Sequence, residues 1–251
     1  MTTTPGVSET YRPAYEPPEL PEISLAAELA LLLRVLSQYG YRDLRAGHVT
    51  VAQPDGSLLI NPRELCWPEV RASDIVTIDR DGVKLAGRYN PTIAYGIHLE
   101  LRRLRPDVGV IVHNHPTHAG TWAACLRVPP IYDQTSASIP HELVLVDEYA
   151  GNFTGMDEAR AAALAFGDAE WGLLANHGVL ITAPSIGDAF MRAYTLEWRA
   201  HRAWEVETLG GGRAMDPDVA LAYGRHFEPM GKSWWEAAMR MELHRDPSVL
   251  E

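Results

Sequence analysis

The feature that most constrains this chain is a short apolar run that ends in histidines. Residues 108–113 are mostly apolar and β-branched, and Asn114 and His115 follow them directly. A run of this length and composition predicts a buried strand. Side chains two residues apart in a strand point to the same face, so we expect His113 and His115 to aim their imidazoles at one point, with Asn114 pointing the other way. Two converging imidazoles are what a metal site needs.

A third histidine lies in a comparable setting. His177 stands between Asn176 and Gly178, and apolar β-like runs flank this tripeptide at 172–175 and 179–182. The glycine indicates a place where the backbone bends and the histidine side chain projects. An ordinary interpretation is also open, in which two of these histidines are polar residues at a strand end and the third belongs to a turn.

Three histidines with open positions predict a catalytic metal site, because structural zinc is usually closed by four protein ligands. We therefore expect one divalent metal ion per chain on His113, His115 and His177, zinc foremost, with manganese and iron as alternatives. The open positions would hold water or substrate oxygens. The ion would act as a Lewis acid beside a carbonyl group.

Periodicity predicts the remaining elements. Ser24 and Ser185 are expected helix N-caps, and short β-branched runs between turn residues predict strands. The predicted helices span 25–39, 92–104, 117–126, 156–166 and 185–209, with two more between 217 and 244. The predicted strands span 48–52, 57–60, 74–78, 108–113, 143–146, 171–175 and 179–182. Helices and strands are mixed without a strict βαβ rhythm, so we expect a mixed sheet covered by helices.

Three segments are expected along the chain. Residues 1–21 are rich in Pro, Glu and Thr and lack periodicity, which predicts a flexible N-terminal arm. Residues 22–212 are expected to form one metal-binding domain. Residues 213–251 are expected to form a helical tail that packs on this domain or on a neighbouring subunit.

Charge and cysteine content narrow the class of protein. The chain has 251 residues and a net charge of −11, which argues against nucleic-acid binding because that function needs a basic surface. No stretch approaches the roughly 20 apolar residues of a membrane span. The two cysteines, Cys66 and Cys125, suggest no disulfide framework. We expect a cytoplasmic protein that acts on a small molecule.

Several motifs resemble the class II aldolase/adducin family, in the family's order and spacing, across about residues 25–209. The matching stretches are 46–51 (AGHVTV), 59–62 (LINP), 73–76 (SDIV), 90–91 (NP), 105–107 (RPD), 112–115 (VHNH) and 174–180 (LANHGVL). The resemblance implies an α/β protein with three α/β/α layers and a central mixed, largely antiparallel sheet. It implies metal ligation by His113, His115 and His177, and a homotetramer with active sites at subunit interfaces.

This sequence departs from the family at positions that carry chemistry. The catalytic glutamate of the sugar-phosphate aldolases falls on Ala94. Other family positions are substituted at His48 (asparagine in the aldolases), Thr92, Ile93, Arg63 and Glu64 (phosphate binding), Gln134 (tyrosine) and Ser138 (aspartate in the pentulose-phosphate epimerases). The acid/base and phosphate-binding parts of both activities are therefore missing, while the metal ligands are kept.

Three further histidines are candidate catalytic residues. His48 follows Gly47 at a strand edge and could donate a proton, or it could be a hydrogen-bonded scaffold residue. His98 lies on a predicted helix facing the sheet, where it could serve the reaction or donate to a backbone group. His118, three residues beyond His115, could orient a ligand imidazole or act as an acid or base.

Five polar residues are candidate substrate-binding residues. Arg63 follows Asn61 and Pro62 in the loop where relatives bind phosphate, and a guanidinium suits a carboxylate as a bidentate partner, although a solvated loop charge is the simpler interpretation. Thr92 falls on a phosphate-binding position of the family. Tyr132 and Gln134 lie in the segment with which relatives reach into a neighbour's site.

Three functions remain open. The pattern Gly47-His48, Asn90-Pro91, Ile97-His98 resembles a branch that includes adducin-like proteins, metal-dependent aromatic-acid decarboxylases and oxygen-dependent enzymes of secondary metabolism. The first hypothesis is a divalent-metal-dependent lyase that cleaves a C–C bond, by decarboxylation or retro-aldol reaction, in a small, non-phosphorylated carbonyl or hydroxy-carboxylic acid. The second is a non-heme Fe(II) oxygenase on the same three histidines. The third is a non-catalytic, adducin-like interaction protein.

Overall fold

One sheet organises the protein, whose computed structural model describes residues 17–147 and 155–251. Within these residues it has eight strands: β1 (His48–Ala52), β2 (Leu58–Ile60), β3 (Val76–Ile78), β4 (Lys84–Ala86), β5 (Val110–Asn114), β6 (Val144–Val146), β7 (Trp171–Leu174) and β8 (Gly178–Ala183). Their order is β4-β3-β2-β1-β5-β8-β7-β6. All neighbouring strands are antiparallel except the parallel pair β6 and β7. The sheet is therefore mixed and largely antiparallel, as expected.

Helices cover both faces of the sheet. They are α1 (Leu25–Gln38), α2 (Gly96–Leu104), α3 (Thr117–Ala124), α4 (Met156–Phe166), α5 (Ile186–Thr208), α6 (Pro217–Phe227) and α7 (Gly231–Arg245). One apolar cluster joins Val49 and Val112 of the sheet to α1, α3, α5 and α7. A second cluster joins Ile111 and Leu180 to α2 and α4 on the opposite face. These two clusters make the three α/β/α layers that the resemblance to the family implied.

Strand alternation decides which face carries the polar residues of the central strands. In β1, Val49 and Val51 belong to the first cluster, while His48 and Thr50 turn to the face covered by α2. β5 lies antiparallel beside β1 with His48 opposite His113. The two histidines therefore lie on one face of neighbouring strands, and α2 covers that face.

Most predicted elements are confirmed, but one helix and one strand begin later than predicted, and one strand was not predicted. The bounds of β1 and α4 are confirmed, as are the N-caps Ser24 and Ser185, whose hydroxyls accept from Ala27 N and Asp188 N. The helix predicted from residue 92 begins at Gly96, because Ala94 has a φ of 64°, a left-handed conformation outside the α-helical region. The strand predicted over 74–78 is shorter, since a 3-10 turn occupies Ala72–Asp74. Strand β4 has no counterpart in the prediction.

The two ends of the chain differ in how far they are described. The predicted arm at 1–21 falls mainly outside the described residues, and within it Leu20 packs against the larger apolar cluster. The tail forms two helices, and α7 packs against α1 through Trp235, whose indole N–H donates to Glu28 at 2.9 Å. Cys66 and Cys125 are both free thiols. No helix among residues 17–147 and 155–251 is long and apolar enough to cross a membrane.

Candidate metal centre

Two different pieces of backbone bring the three predicted ligands together. His113 lies near the end of β5, and His115 follows immediately after the strand ends at Asn114. His177 belongs to the tight turn between β7 and β8, where Asn176 has a φ of 53° and His177 N donates to Leu174 O at 3.0 Å. Because β8 pairs with β5, this turn lies beside the end of β5.

The three imidazoles form a compact group, which we call the three-histidine centre. One ligand nitrogen from each of His113, His115 and His177 can be chosen so that all lie within 4.8 Å of one another. Their ring centroids are 4.7 to 5.0 Å apart. This is the convergence that the sequence predicted from the strand parity of His113 and His115.

Hydrogen bonds orient two of the rings toward the shared point. His113 Nδ1 lies 2.9 Å from the carbonyl oxygen of Val179, and His115 Nδ1 lies 2.6 Å from Asp43 Oδ2. Both partners are acceptors, so Nδ1 carries the proton in each ring and Nε2 keeps its lone pair. His115 Nε2 is buried and has no hydrogen-bond partner within the described part of the chain. Such a nitrogen, with a carboxylate behind the ring, fits a metal ligand.

Burial favours the neutral form of two of these imidazoles, those of His113 and His177. Burial, reinforced by the neighbouring histidines, lowers the pKa of His113 well below its usual range. Burial and then the proximity of His115 lower the pKa of His177 to about 4. Metal binding requires neutral imidazole, so the protein presents these rings in the form that a divalent ion takes without displacing a proton.

Close backbone packing holds the centre in place. Asn114 Nδ2 donates to Ala46 O at 3.0 Å, and its Oδ1 accepts from His115 N at 2.8 Å. A Cβ added at Gly178 would lie 2.4 Å from Asn114 O and 2.6 Å from His115 Cδ2. Glycine is therefore required after His177 for the turn to approach β5 this closely.

The centre opens into a cavity of about 380 Å³. The other residues that line it are Arg45, Ala46, Gly47, His48, Arg63, Thr92, Ile93 and Ala94. Two of these are arginines, and none of the described lining residues is acidic. The cavity therefore suits a small anion, with the guanidinium groups as partners for a carboxylate.

Of the predicted catalytic residues, the structure brings only His48 to this cavity. His48 lines it, with its ring centroid 4.7 Å from that of His113. His98 is fully buried behind His48, and its ring nitrogens meet the side chains of His48 and Thr50, not the backbone group that was an alternative. Burial is also the main cause that lowers the pKa of both His48 and His98 well below the usual range.

His118 belongs to a different environment. Its Nδ1 lies 2.7 Å from Glu197 Oε1, and its ring stacks on His201 with centroids 3.9 Å apart. These residues line a separate cavity of about 390 Å³. Glu197 also accepts from the backbone of His118 and Ala119, so it caps the first turn of α3. Within one chain, Asp43 and Val179, and not His118, hold the ligand imidazoles.

Some of the predicted substrate-binding residues line the cavity beside the three-histidine centre, and others lie outside it. Arg63 and Thr92 line the cavity. Asn61 is buried, and its side-chain amide oxygen accepts a hydrogen bond from Val49 N at 2.9 Å. Its side chain therefore stabilises the strand that carries His48. Tyr132 and Gln134 lie outside this cavity in their own chain, and their expected role at a neighbour's site stays a prediction.

Sequence reasoning missed Asp43 and the carbonyl of Val179. Asp43 is an exposed loop residue 72 positions from its partner His115, and nothing in its surroundings distinguishes it from other loop carboxylates. The carbonyl of Val179 could have been found from the pairing of β5 with β8, which brings the backbone after His177 alongside His113.

Fold and site together define a three-layer α/β/α protein with a compact group of three histidines, of a kind that could hold a metal ion, at the end of its central strands. The model of the family described as the Class II Aldolase and Adducin N-terminal domain matches residues 27–204. The chain belongs to this family.

Relatives within the family carry different names. The chain is 30% identical to an adducin-related protein of Schizosaccharomyces pombe over 77% of its own length and 61% of that protein, so it spans less than two thirds of that relative. It is 25% identical, over 88% of its length and 82% of the other, to a 4-hydroxy-3-prenylphenylpyruvate oxygenase/4-hydroxy-3-prenylbenzoate synthase of Streptomyces roseochromogenus subsp. oscitans.

A solved structure supports the fold. An L-fuculose 1-phosphate aldolase from Glaciozyma antarctica PI12 superposes with a TM-score of 0.79, covering 94% of this chain and 97% of that one, at 20% identity. At this identity the likeness concerns the fold alone.

Proposed function

We propose that this protein is a divalent-metal-dependent lyase that cleaves a C–C bond in a small, non-phosphorylated carbonyl or hydroxy-carboxylic acid. The observation that carries the proposal is the convergence of His113, His115 and His177 on an open cavity, with Nε2 of His115 buried and without a partner among the described residues. The three histidines would hold one ion, zinc or alternatively manganese or iron.

The cavity favours a carboxylate over a sugar phosphate. Arg63 and Arg45 supply positive charge at its wall. Ala94 and Thr92 stand where the resemblance to the sugar-phosphate aldolases places a catalytic glutamate and a phosphate-binding residue. An alanine at the first position leaves no carboxylate to remove a hydroxyl proton, which favours decarboxylation over retro-aldol cleavage because decarboxylation does not need that base.

In such a reaction each residue of the cavity is proposed to have a separate role. The bound ion supplies a Lewis acid for negative charge that develops on a substrate oxygen. Arg63 is proposed to orient the substrate carboxylate, and Thr92 to hydrogen-bond a substrate oxygen. When the bond to the departing carbon breaks, its electron pair stays with the substrate. His48 is proposed to donate to the oxygen that takes up this charge.

The experiment that tests the proposal is a substrate panel on metal-loaded protein. Hydroxy-aromatic acids and aldol adducts are incubated with the wild type, His113→Ala and, as a matched control, His226→Ala, which changes an exposed histidine on α6. We expect release of CO2 or an aldehyde by the wild type and His226→Ala, and none by His113→Ala. Absence of C–C cleavage across the panel with the metal bound would reject a lyase.

An Fe(II) oxygenase is the second candidate, and the relative named as an oxygenase/synthase is the observation that favours it. Three histidines with open positions are compatible with iron. Oxygen consumption that depends on Fe(II) would support this candidate, and product formation that is unchanged under strict anaerobiosis would exclude it.

Assembly, location and a non-catalytic alternative are further parts of the proposal. We propose a homotetramer with the cavities at subunit interfaces, where Tyr132 and Gln134 of one chain would meet the site of the next, and a cytoplasmic location. Sedimentation velocity tests the assembly. The adducin-related protein supports a non-catalytic alternative, and purified protein that binds no metal would favour it.

A further inference from the structure

A chain of buried polar side chains leads away from the cavity behind His48. It runs from His48 to His98, then to Thr50 and finally to Arg102. His48, His98 and Thr50 are 4%, 0% and 0% exposed. Because these side chains are almost completely shielded from bulk solvent, we expect their protons to lie in the hydrogen bonds between them.

Arg102, the residue farthest from the cavity, determines which atom donates in this series of hydrogen bonds. Its guanidinium donates to the backbone oxygens of Thr50, Val108 and Gly109, and to Thr50 Oγ1 at 3.2 Å. A guanidinium has no acceptor atom, so Thr50 Oγ1 is the acceptor in this contact.

Because Thr50 Oγ1 accepts from Arg102, its own hydroxyl hydrogen is available to donate to His98. The hydroxyl of Thr50 has one hydrogen, and among residues 17–147 and 155–251 the other hydrogen-bond partner of Oγ1 is His98 Nδ1, at 2.9 Å. The hydrogen must therefore point to His98 Nδ1, since the guanidinium cannot accept it. The reverse arrangement, with Nδ1 donating to Thr50, would leave a buried hydroxyl hydrogen facing only a cation, at a cost of about 1–3 kcal/mol.

His98 in turn decides the tautomer of His48. With Nδ1 as acceptor, the neutral ring of His98 carries its proton on Nε2, which lies 2.9 Å from His48 Nδ1. His48 Nδ1 is then an acceptor, and the proton of its neutral ring lies on Nε2. This is the opposite of His113 and His115, which carry their proton on Nδ1 because a carbonyl and a carboxylate accept it there.

We propose that Arg102, Thr50 and His98 are positioning residues that hold His48 in the Nε2–H tautomer, so that His48 is a hydrogen-bond donor in the cavity and not a fourth metal ligand. The donor role toward a substrate oxygen rests on the proposed function, whereas the tautomer and the absence of ligation do not. A ligand needs a lone pair on the nitrogen that faces the ion, and in this tautomer Nε2 has none.

Neutron diffraction of metal-loaded, deuterium-exchanged crystals tests the tautomer directly and needs no substrate. We expect deuterium on Nε2 and not on Nδ1 of both His48 and His98. Deuterium on Nδ1 of either ring would overturn the proposal. Metal analysis of His48→Ala supports the proposal if the variant binds as much metal as the wild type, and contradicts it if the metal is lost.

Catalysis tests the positioning role once a substrate is found. Thr50→Val keeps the shape of the side chain and removes its hydroxyl group. We expect kcat to fall roughly tenfold to a hundredfold, because part of the general-acid contribution of His48 is lost, while the metal content stays unchanged. Thr50→Ser restores the hydroxyl and should recover kcat to within about threefold of the wild type. Thr77→Val, in strand β3, is the matched control.

The outcomes separate this proposal from the proposed function. Wild-type kcat in Thr50→Val, or no recovery in Thr50→Ser, contradicts the positioning role. If no C–C cleavage is found with any substrate, the lyase fails, while the neutron map and the metal content of His48→Ala still decide the tautomer. If Thr50→Val does not fold, Thr50→Ser and the neutron map remain.

Discussion

At the residue scale, the ligand imidazoles depend on what lies behind them. Asp43 is half exposed, yet its carboxylate accepts from His115 Nδ1 at 2.6 Å and so fixes both the ring and its tautomer. A carboxylate behind a ligand histidine also makes the imidazole a stronger donor to the metal. The affinity of the centre for its ion should therefore depend on a residue that does not touch the ion.

We predict that Asp43→Ala weakens metal binding by roughly tenfold to a hundredfold, the usual effect of removing a hydrogen-bonded partner of a ligand histidine. The fold should be kept, because Asp43 lies in an exposed loop. Competition with a chromophoric chelator measures the change in the dissociation constant. Asp107→Ala removes another exposed carboxylate, near Arg105, and should leave the affinity as it is. Equal affinities for Asp43→Ala and the wild type would contradict this account of the centre.

His98 should make the stability of the protein dependent on pH. Burial, followed by the proximity of His113 and Arg102, lowers the pKa of His98 well below its usual range. His98 of the unfolded chain therefore takes up a proton near pH 6.5, whereas His98 of the folded chain stays neutral at that pH. The free energy of unfolding keeps its full contribution from His98 above this pH and decreases as the pH falls below it. One such histidine contributes a slope of about 1.4 kcal/mol per pH unit.

Urea denaturation of the wild type and His98→Gln at several values between pH 7 and pH 5 tests this prediction. Both proteins lose stability toward low pH through the other buried histidines, but the slope should be smaller in His98→Gln. Parallel lines for the two proteins would mean that folding does not lower the pKa of His98, and would contradict the prediction.

The residue scale is also where sequence reasoning succeeded and failed most clearly. His113 and His115 were predictable because strand parity is local, and His177 because its neighbours indicate a tight bend. Asp43 was not predictable, since 72 residues separate it from His115 and loop carboxylates are common. Asn61 was expected to bind substrate, but its buried amide accepts from Val49 N. A polar residue in a motif can serve the backbone as well as a ligand.

At the element scale, the turn between β7 and β8 does most to shape the centre. Gly178 pairs with Leu174 across this turn, and its α-carbon faces Asn114 O and His115 Cδ2. There is no space for a methyl group between the turn and the end of β5, so the positions of His115 and His177 are linked through this contact.

We predict that Gly178→Ala weakens metal binding and lowers the free energy of unfolding by roughly 1–3 kcal/mol, the usual range for overpacking. The matched control is Gly120→Ala in α3, where the added Cβ would lie 4.0 Å from the backbone carbon of His115. There alanine should be neutral or stabilise the helix by up to about 1 kcal/mol. Chelator competition and urea denaturation measure both changes. Wild-type metal affinity in Gly178→Ala would show that the turn can move without disturbing the centre.

Elements with strong periodicity or clear caps were predicted well, and weak ones were not. α4 has the predicted bounds, because alanine-rich helical spacing is a local signal. β4 was missed because its three residues, Lys84–Ala86, are all exposed and show no alternation. The predicted start of α2 was four residues early because nothing local reveals the left-handed conformation of Ala94. That loop, with Thr92 and Ile93, became part of the cavity wall.

At the scale of the whole molecule, the sheet order brings together residues from distant parts of the chain. β5 lies between β1 and β8, so His48, His113 and the turn with His177 meet at one end of the central strands. Residue patterns alone predicted a mixed sheet but not this order, because strand pairing over such separations leaves no local signal. The expectation of three layers came from the resemblance to the family, and the structure confirms it.

The large-scale architecture does not by itself determine the chemistry. The same fold supports relatives named as an aldolase and as an oxygenase/synthase. In this chain Arg63, Thr92, Ala94 and His48 line the cavity beside the three-histidine centre. We propose that these residues, and not the fold, determine the reaction.

The central claim is that His113, His115 and His177 hold one divalent ion, and elemental analysis of the purified protein tests it most directly. The wild type and His226→Ala should each carry close to one zinc, manganese or iron per chain, and His113→Ala should carry almost none. The metal that is found then directs the search for activity, with zinc or manganese pointing to lyase substrates and iron to oxygen uptake. A wild-type protein that binds no metal even after reconstitution, or a His113→Ala variant that binds as much as the wild type, would contradict the account.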